Sequence, residues 1–225
     1  MIIITGISGG IGTQIIKELS KKNKILGIYH LNKPSIRVKN VDFVKVDITK
    51  ENEIDKFVRN YENIMKKVTF ISLSAYKKDN LIINKDLNEW NNTIQVNLTS
   101  NFIFAKKLIK KMIYQKWGRF IFFGSSIIKY DRIGISDYSS SKYGLQGLSG
   151  SISKEYSKFN ITANILELGA VKTGLYNKLS GKRKMLIKNI NEDTLVNISD
   201  IISSINFIIK NNSLNNSIIK LDKGL

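Results

Sequence analysis

The sequence contains no cysteine, one proline and one histidine among its 225 residues. The absence of cysteine excludes disulfides and thiolate metal sites, and it is typical of cytoplasmic proteins, so a cytoplasmic location is expected. The single histidine, His30, excludes any site built from several imidazoles. No apolar run approaches the roughly 18 residues that a membrane-spanning helix needs. We therefore predict neither a metal site nor a membrane partner.

Acidic residues are also scarce, because 36 lysines and arginines face 18 aspartates and glutamates, which gives a formal net charge of +18. Such a charge can indicate an anionic partner, such as a nucleic acid, an anionic membrane surface or an acidic carrier protein. Here the lysines are scattered, and no basic segment interleaved with aromatic residues is present to stack bases. We therefore attribute most of the charge to composition and predict no specific nucleic-acid partner.

Short runs of β-branched residues alternate with longer amphipathic segments along the chain. Strands are predicted at residues 2–5, 25–30, 42–46, 68–72, 119–123, 161–166 and 217–221, and helices at 10–21, 51–66, 90–114, 139–159 and 199–210. Two shorter helices are the alternative for residues 90–114. This alternation predicts a parallel sheet with helices on both faces. Strands buried on both sides should be continuously apolar, as these are. The expected fold class is α/β, a single Rossmann-type doubly wound domain over residues 1–225.

The turn after the first strand is rich in glycine, and residues 5–12 read TGISGGIG. Glycines at this point of a dinucleotide fold permit a tight turn and close approach of the backbone to a pyrophosphate, which helix N-terminal amides then bind. The residues predicted to contact the cofactor here are Gly6, Ser8, Gly9, Gly10, Ile11 and Gly12. The same turn matches the G-x-S-x-G motif of hydrolases, but the lone His30 follows one strand later with no room for the acid of a Ser–acid–His triad.

The segment after the second predicted strand, residues 29–33, contains no carboxylate. An acid commonly lies at this position on the adenosine ribose of NAD, whereas a 2′-phosphate needs its absence. The sequence therefore favours NADP(H) over NAD(H). We predict that His30 and Asn32 contact the cofactor, with Lys33 and Arg37 as further candidates for the 2′-phosphate. Ordinary solvated loop side chains are the alternative.

Asp47 follows the third predicted strand directly. Its carboxylate could accept a hydrogen bond from the adenine amino group, so Asp47 and its neighbour Ile48 are taken as cofactor contacts. The alternative is a structural hydrogen bond with Thr49 at the start of the next helix.

Tyr138 and Lys142 lie four residues apart at the predicted start of a helix. This spacing puts both side chains on one face, with Cβ atoms about 5–6 Å apart. An ammonium beside a phenol favours the phenolate, so we expect the pKa of Tyr138 to be lowered from about 10. A phenol adjusted in this way can give a proton to a carbonyl oxygen or take one back.

Two further polar residues are candidates for the same site. Ser125 follows the fifth predicted strand, and ligands of open α/β sheets bind beyond the carboxyl ends of the strands. Its hydroxyl is therefore expected at the same carbonyl oxygen. Asn97 lies within the long predicted helix on an apolar face, where an amide is unfavourable unless a ligand or a structural hydrogen bond uses it.

These motifs together resemble the short-chain dehydrogenase/reductase family over essentially the whole chain. The family's T-G-x-x-x-G-x-G turn is matched by residues 5–12. Its catalytic Asn, Ser, Tyr and Lys fall, in the same order, on Asn97, Ser125, Tyr138 and Lys142. The resemblance is specific because these matches occur in one order along one chain.

Three further segments follow the family pattern with departures. Residues 168–173, LGAVKT, correspond to P-G-x-V-x-T, which contacts the nicotinamide in the family, and residues 221–224, LDKG, correspond to a closing V-D-G-G. Residues 73–76, LSAY, stand where the family usually carries N-N-A-G beneath the adenine ribose. The cofactor contacts that the resemblance implies, besides Tyr138 and Lys142, are Ser74, Ala75, Gly169, Val171 and Thr173.

The resemblance implies an NAD(P)(H)-dependent oxidoreductase that transfers a hydride between the nicotinamide and a carbonyl or secondary alcohol. In the family's mechanism Tyr138 gives the proton, Ser125 steadies the oxyanion, and Lys142 holds the nicotinamide ribose. Asn97 fixes a water that links Lys142 to solvent. The cofactor carries the hydride, and the protein supplies position and field.

The substrate is expected to contact the segment between Thr173 and Ile198, which combines apolar residues with Lys182-Arg183-Lys184. That composition suits an acyl chain on a phosphopantetheine carrier, as in 3-oxoacyl-carrier-protein reductases. It suits an anionic sugar or a nucleotide-linked substrate almost as well, and a solvated surface loop is the alternative.

The family also implies a homo-oligomer, a tetramer or dimer, formed through apolar surfaces at residues 101–104 and 205–208, for which core packing is the alternative. Two functions of other classes remain. A non-catalytic dinucleotide sensor or scaffold is disfavoured because all four catalytic positions are filled. A nucleic-acid-binding protein driven by net charge alone would lose its ligand at modest salt.

Overall fold

The structure, a computed structural model, describes residues 1–130, 132–171, 173 and 195–224. In these ranges seven strands form one parallel sheet with the order β3-β2-β1-β4-β5-β6-β7. The strands are β1 (Ile2–Thr5), β2 (Ile25–Tyr29), β3 (Val41–Lys45), β4 (Val68–Ser72), β5 (Gly118–Ser125), β6 (Ile161–Leu168) and β7 (Ile218–Leu221). The strand order reverses between β1 and β4, so the predicted Rossmann-type, doubly wound α/β fold is confirmed.

Helices cover both faces of this sheet. They are α1 (Gly10–Leu19), α2 (Glu51–Tyr61), α3 (Leu87–Ile94), α4 (Ser100–Gln115), α5 (Ser136–Tyr156) and α6 (Ile198–Lys210). Ile3 of β1 packs into a core beneath α2, α4 and α5, whereas Ile2 and Ile4 pack into a second core beneath α1 and α6. Successive strand residues therefore enter opposite cores, which explains why the strands are continuously apolar.

Three elements near the site differ from their predicted bounds. The long predicted helix at 90–114 is divided by a π-helical turn, Gln95–Thr99, into α3 and α4. Helix α5 begins at Ser136, three residues earlier than predicted, so Tyr138 lies in its first turn. Strands β5 and β6 each extend two residues further than predicted, because their ladder continues to the pair Ser125–Leu168. The extra ladder fixes the backbone of Ser125 within the sheet.

Some predictions concern residues outside the described ranges. The expected substrate-covering segment falls there from residue 174 to 194, including Tyr176, Leu179, the three basic residues 182–184, Met185, Leu186 and Ile187. Within the described part of the chain, no helix is long and apolar enough to cross a bilayer. The same residues contain no group of three or more His, Asp or Glu side chains that could hold a metal.

Candidate active site

The predicted site residues meet at one edge of the sheet. Because all seven strands are parallel, their carboxyl ends lie on the same side. Gly6 to Gly12 follow β1, His30 and Asn32 follow β2, Asp47 and Ile48 follow β3, Ser74 and Ala75 follow β4, Ser125 ends β5, and Gly169, Val171 and Thr173 follow β6. Tyr138 and Lys142 lie in α5, and Asn97 lies in the π-helical turn. Segments far apart in sequence are thus brought to the strand ends where open α/β sheets bind ligands.

The glycine turn meets two separate steric demands. Gly6 has a φ of 69°, and a Cβ atom there would lie 2.6 Å from the backbone nitrogen of Ser74. A Cβ atom on Gly12 would lie 2.6 Å from the carbonyl oxygen of Ile7. Gly6 therefore allows the turn to lie against the loop after β4, and Gly12 allows α1 to lie against the turn. A larger side chain at either position would force backbone to move.

The same turn leaves a backbone surface suited to an anion. Gly9 donates its N–H to the carbonyl oxygen of Gly6 at 3.0 Å, which closes the turn. Gly9 is also the N-cap of α1, and it has no side chain to bond the first-turn amides. Ser8 and Gly9 are exposed. A helix N-terminus with unbonded amides and a positive dipole end favours a phosphate group, so this surface fits the diphosphate of a dinucleotide.

The residues predicted at the adenosine end are held less firmly. His30 and Asn32 are exposed. Asp47 accepts hydrogen bonds at Oδ1 from the backbone N–H and the hydroxyl of Thr49, at 3.0 and 2.6 Å. Burial raises the pKa of Asp47, but hydrogen bonds from Thr49 and the nearby charges of His30 and Lys50 outweigh it, and the net pKa is lowered. The structural bond to Thr49, given above as the alternative, is therefore present.

Only the second carboxylate oxygen of Asp47 remains toward the sheet edge, where it lies 3.7 Å from His30 Nε2 and 3.5 Å from Lys50 Nζ. Ile48 stays a predicted cofactor contact. Its side chain is buried in the core beneath α2 and α4, because the residue after Asp47 turns inward to pack with Ile54 and Phe57. Its main chain alone is left to face a ligand.

Asn97 holds the loop that follows β4. Its Oδ1 accepts from the backbone N–H of Tyr76 at 2.7 Å, and its Nδ2 donates to the Tyr76 carbonyl oxygen at 2.9 Å and to Ser141 Oγ at 3.0 Å. The Asn97 side chain thus joins the loop carrying Ser74 and Ala75 to helix α5. π-helical turns frequently occur at functional sites. The structural hydrogen bond foreseen for Asn97 is present, and its role in fixing a water stays a prediction.

Ser125, Tyr138 and Lys142 form one cluster. The Ser125 side chain lies close enough to the Tyr138 phenol to lower its pKa. The Lys142 ammonium lies 5.6 Å from the centroid of the Tyr138 ring and donates to the carbonyl oxygen of Phe123 at 2.7 Å. Lys142 is only 4% exposed. The spacing of four residues and the register of β5 therefore bring a hydroxyl, a phenol and an amine together.

The expected lowering of the Tyr138 pKa is not found. Burial raises the pKa of the phenol, and the charge of Asp79 raises it further, while the hydrogen bond with Ser125 lowers it. Burial also lowers the pKa of Lys142 to about 8. The prediction was wrong because burial disfavours the charged form of both groups, which outweighs the attraction between phenolate and ammonium. The phenol is consequently protonated at neutral pH, which is the state a proton donor requires.

The segment after β6 is held on one side by the end of β7 and on the other by an isolated β-bridge. Gly169 donates its N–H to the carbonyl oxygen of Leu221 at 2.8 Å, and a Cβ atom on Gly169 would lie 3.0 Å from Asp222 Cα. Val171 pairs with Val196. Thr173 is buried and donates its N–H to the Val171 carbonyl oxygen at 2.7 Å. The closing residues 221–224 therefore support the segment expected at the nicotinamide.

Two buried residues beside the cluster carry no sequence signal. Asp137 directly precedes Tyr138, and a carboxylate in the first turn of a helix is explained by the helix dipole alone. Lys85 is one of 36 basic residues and lies 52 positions earlier in the chain. Their side chains pair at 3.1 Å. Only the folded chain shows that Lys85 reaches the start of α5.

Comparison with known proteins agrees with this geometry. A sequence profile described as short chain dehydrogenase matches residues 1–184. The chain belongs to the short-chain dehydrogenase family. A 3-oxoacyl-acyl-carrier-protein reductase of Buchnera aphidicola subsp. Baizongia pistaciae is 34% identical over 99% of this chain and 96% of its own length. The protein of that name from Rickettsia bellii is 29% identical over 92% of this chain and 87% of its length.

Solved structures of short-chain dehydrogenases share the fold. A protein from Agrobacterium tumefaciens described as a candidate gluconate dehydrogenase superposes with a TM-score of 0.88 at 21% identity, covering 100% of this chain and 94% of that one. A candidate 3-oxoacyl-reductase from Bacillus thuringiensis gives 0.81 at 22% identity, covering 99% and 96%. As a member of the short-chain dehydrogenase family, the protein is an oxidoreductase that acts on CH–OH and C=O groups.

Proposed function

We propose that this protein is an NADPH-dependent reductase of 3-oxoacyl thioesters carried on an acyl-carrier protein, with Tyr138 as the proton donor. The Ser125 hydroxyl beside the Tyr138 phenol, with the Lys142 ammonium 5.6 Å from the centroid of the ring, carries the proposal. A buried phenol that stays protonated at neutral pH can donate to a carbonyl oxygen as that oxygen becomes an alkoxide. The same state is the one in which carbonyl reduction must begin.

The roles proposed for Ser125 and Lys142 follow from the hydrogen-bond donors that each side chain offers. NADPH, when bound, supplies the hydride. Ser125 holds the substrate oxygen, so the developing charge meets two hydroxyl donors in a site shielded from water. An ammonium has three N–H donors. Lys142 uses one on the Phe123 carbonyl oxygen, and the remaining two suit the hydroxyls of the nicotinamide ribose.

The residues that follow β2 support a preference for NADPH over NADH. Residues 29–33 carry no carboxylate. Lys33 and Arg37 line one concave surface of about 290 Å³ together with Pro34, Val41 and Phe43. Two cations beside one hollow suit a 2′-phosphate, whose charge-assisted hydrogen bonds are stronger than those to a ribose hydroxyl. Fluorescence titration with both reduced cofactors measures the preference, and tighter binding of NADH would overturn it.

The substrate class is supported by the named relatives and by charge. The two relatives described above are named for 3-oxoacyl-acyl-carrier-protein substrates and are 34% and 29% identical to this chain. A net charge of +18 also suits an acidic carrier, since opposite charges steer association. We further place the protein in the cytoplasm, where its cysteine-free sequence fits.

The test is NADPH oxidation with a 3-oxoacyl group on an acyl-carrier protein, on free pantetheine and on neither. We expect kcat/KM for the carrier-linked substrate to exceed that for the pantetheine thioester by about tenfold at low salt, with the ratio falling as salt is raised. Turnover of a panel of keto sugars without turnover of either thioester would contradict the substrate class. Tight NADPH binding without turnover of any carbonyl would instead support a sensor.

We propose a homo-oligomer because two phenylalanines on the predicted contact surfaces are partly exposed. Within the predicted surfaces, Ile103 and Phe104 on α4 and Ile205 on α6 are buried in the core. Phe102 and Phe207 are 51% and 52% exposed. Core packing therefore explains most of these residues but not the two phenylalanines. Light scattering should show an oligomer that Phe102→Glu or Phe207→Glu dissociates, and a monomeric parent would contradict the proposal.

A further inference from the structure

An ion pair lies inside the protein beside the proposed proton donor. Asp137 is fully buried, the Lys85 side chain is 4% exposed, and Lys85 Nζ lies 3.1 Å from Asp137 Oδ1. Ion pairs on the surface keep their contact with water. In the pair Lys21–Glu18, for example, both side chains are more than half exposed. Lys85 and Asp137 have thus both given up their hydration.

The buried carboxylate joins three parts of the chain. Asp137 Oδ1 accepts from Lys85 Nζ and from the backbone N–H of Tyr138, the latter at 2.9 Å, and Oδ2 accepts from Thr93 Oγ1 at 2.7 Å. Lys85 Nζ also donates to the carbonyl oxygen of Lys78 at 2.6 Å. The loop between β4 and α3, helix α3 and the first turn of α5 are therefore bonded to one charged pair.

Stability alone is a poor explanation for this pair. Removing two charges from water costs several kcal/mol each, and replacing a buried ion pair by apolar residues is often neutral or stabilising. Buried ionic groups are better explained where they fix one particular arrangement. Here the arrangement concerns the backbone of Tyr138, because Asp137 bonds its N–H directly.

We propose that the Lys85–Asp137 pair is a positioning device for Tyr138, in which Asp137 fixes the tyrosine backbone and Lys85 balances the carboxylate charge. The proposal rests on Tyr138 being the proton donor. Lys85 and Asp137 do not themselves touch the substrate oxygen. They act through the position of Tyr138 and through the electric field at its hydroxyl.

The field at the phenol already has several named sources. Ser125 of β5 lies beside the hydroxyl and lowers its pKa, and Lys142 lies one turn along α5. From the loop after β4, Lys77 Nζ lies 5.8 Å from the centroid of the ring, and the charge of Asp79 raises the pKa of the phenol. Asp79 is itself paired with Lys77 at 2.7 Å. An uncompensated carboxylate near the phenol would raise that pKa further, and an uncompensated ammonium would lower it.

Two single variants should therefore shift the pH dependence in opposite directions. Lys85→Met leaves Asp137 unbalanced, so the alkaline limb of kcat for carbonyl reduction should move to higher pH. Asp137→Asn keeps an oxygen acceptor for the Tyr138 N–H but leaves Lys85 unbalanced, so the limb should move to lower pH. The double variant restores neutrality, and its limb should return toward that of the parent.

The expected changes in kcat, KM and the dissociation constant for NADPH distinguish a positioning role from a binding role. Each single variant should lower kcat by about tenfold, while KM and the dissociation constant for NADPH stay within about twofold, since misplacement of a donor affects the reacting state most. Lys85→Arg, which keeps the charge, should recover most of kcat. The matched control is Lys21→Met, which breaks an exposed pair and should leave kcat and its pH profile at the parent values.

The outcomes distinguish this proposal from the proposed function. If Tyr138→Phe retains turnover, the assignment of the proton donor fails and the positioning proposal fails with it. If Tyr138→Phe is inactive while both single variants keep the parent's kcat and pH profile, the positioning proposal alone fails. Shifts of the same sign in both variants would also overturn it. If one single variant does not fold, the other decides by the sign of its shift, and if only the double variant folds, the pair is structural and the proposal is overturned.

Discussion

The two ends of the cofactor cleft differ in how firmly the chain holds its polar groups. At the catalytic end, Lys142 and Asn97 are buried and have named hydrogen-bond partners, and Tyr138 lies beside Ser125. At the adenosine end, His30 is exposed and its nearest acidic neighbour lies 3.7 Å away. The proposed reaction chemistry thus lies at the firmly held end, where misplacement by an ångström is costly, and the proposed choice of cofactor lies in a solvated loop.

This difference has a consequence for the size of mutational effects. A buried, bonded group acts in a low dielectric medium, and its removal leaves neighbours unsatisfied. An exposed cation competes with water and salt, so each contributes little. Substitutions at the catalytic end should therefore change rate and stability by orders of magnitude, and substitutions at the adenosine end should change affinity by small factors.

The largest expected effect is that of Tyr138→Phe, which removes the proton donor and keeps the ring. We expect kcat to fall by about a thousandfold, within the usual range for general acid catalysis, while NADPH still binds. Steady-state kinetics and fluorescence titration measure the two quantities. The matched control is Tyr143→Phe on the exposed side of the same helix, which should keep kcat. If Tyr138→Phe kept the kcat of the parent, the expected difference in mutational effects between the two ends would be contradicted.

The second prediction concerns the buried amine of Lys142. Burial lowers its pKa from the usual 10.5 to about 8, so between these values the unfolded chain binds a proton that the folded chain does not. The linkage relation then makes the parent's free energy of unfolding rise with pH in this window. The stability of Lys142→Met relative to the parent should be greatest below about pH 8 and fall by about 3 kcal/mol as the pH approaches 10.5.

Urea unfolding of the parent and Lys142→Met at several pH values measures that difference. Because Lys142 lies beside Tyr138, both proteins are also compared in a Tyr138→Phe background, which removes the titration of that phenol from the difference. A difference that stays constant through the window would show that Lys142 keeps its ordinary pKa. The catalytic end would then be less desolvated than its burial indicates.

The third prediction tests the backbone of the glycine turn. Gly6→Ala places a Cβ atom 2.6 Å from the Ser74 nitrogen at a positive φ. We expect a loss of about 2 kcal/mol in the free energy of unfolding and weaker NADPH binding, since the loop after β4 must move. Gly147→Ala in α5 is the matched control, because nothing lies within 4 Å of its Cβ position. That control should be neutral or slightly stabilising.

The smallest effect is expected at the adenosine end. Lys33→Ala removes one cation from the hollow that it shares with Arg37, so the dissociation constant for NADPH should rise about fivefold while that for NADH is unchanged. Lys39→Ala, an exposed lysine of the same loop, is the control. Equal losses for both cofactors would show that Lys33 contributes only general attraction. An effect as large as that of Tyr138→Phe would contradict the contrast between the two ends.

Much of the fold could be predicted because the signals are local. Strands β1 and β4 have their predicted bounds, since each is a short apolar run that pairs along its whole length. The glycine turn, Ser125, Tyr138 and Lys142 could be placed at one edge because parallel strands share the direction of their carboxyl ends. Motif spacing and strand direction were sufficient for this.

The rest depended on tertiary structure that no spacing reveals. The side chain of Ile48 turns into the core, although it follows Asp47 at the edge of the sheet. The sequence allowed either one helix or two over residues 90–114, and only the structure shows the π-helical turn that aims Asn97 at Tyr76. The direction of the Tyr138 pKa depends on total burial, and the Lys85–Asp137 pair joins residues 52 positions apart. Each of these features depends on contacts between residues that are far apart in the sequence.

The ionisation of a single phenol tests the central claim most directly. The claim is that carbonyl reduction uses a buried tyrosine that is neutral in the resting protein. Subtracting the ultraviolet pH titration of Tyr138→Phe from that of the parent isolates the phenolate of Tyr138. We expect this group to ionise only above about pH 10, the usual tyrosine value. Ionisation near neutral pH would show a phenolate in the resting protein and would contradict the claim.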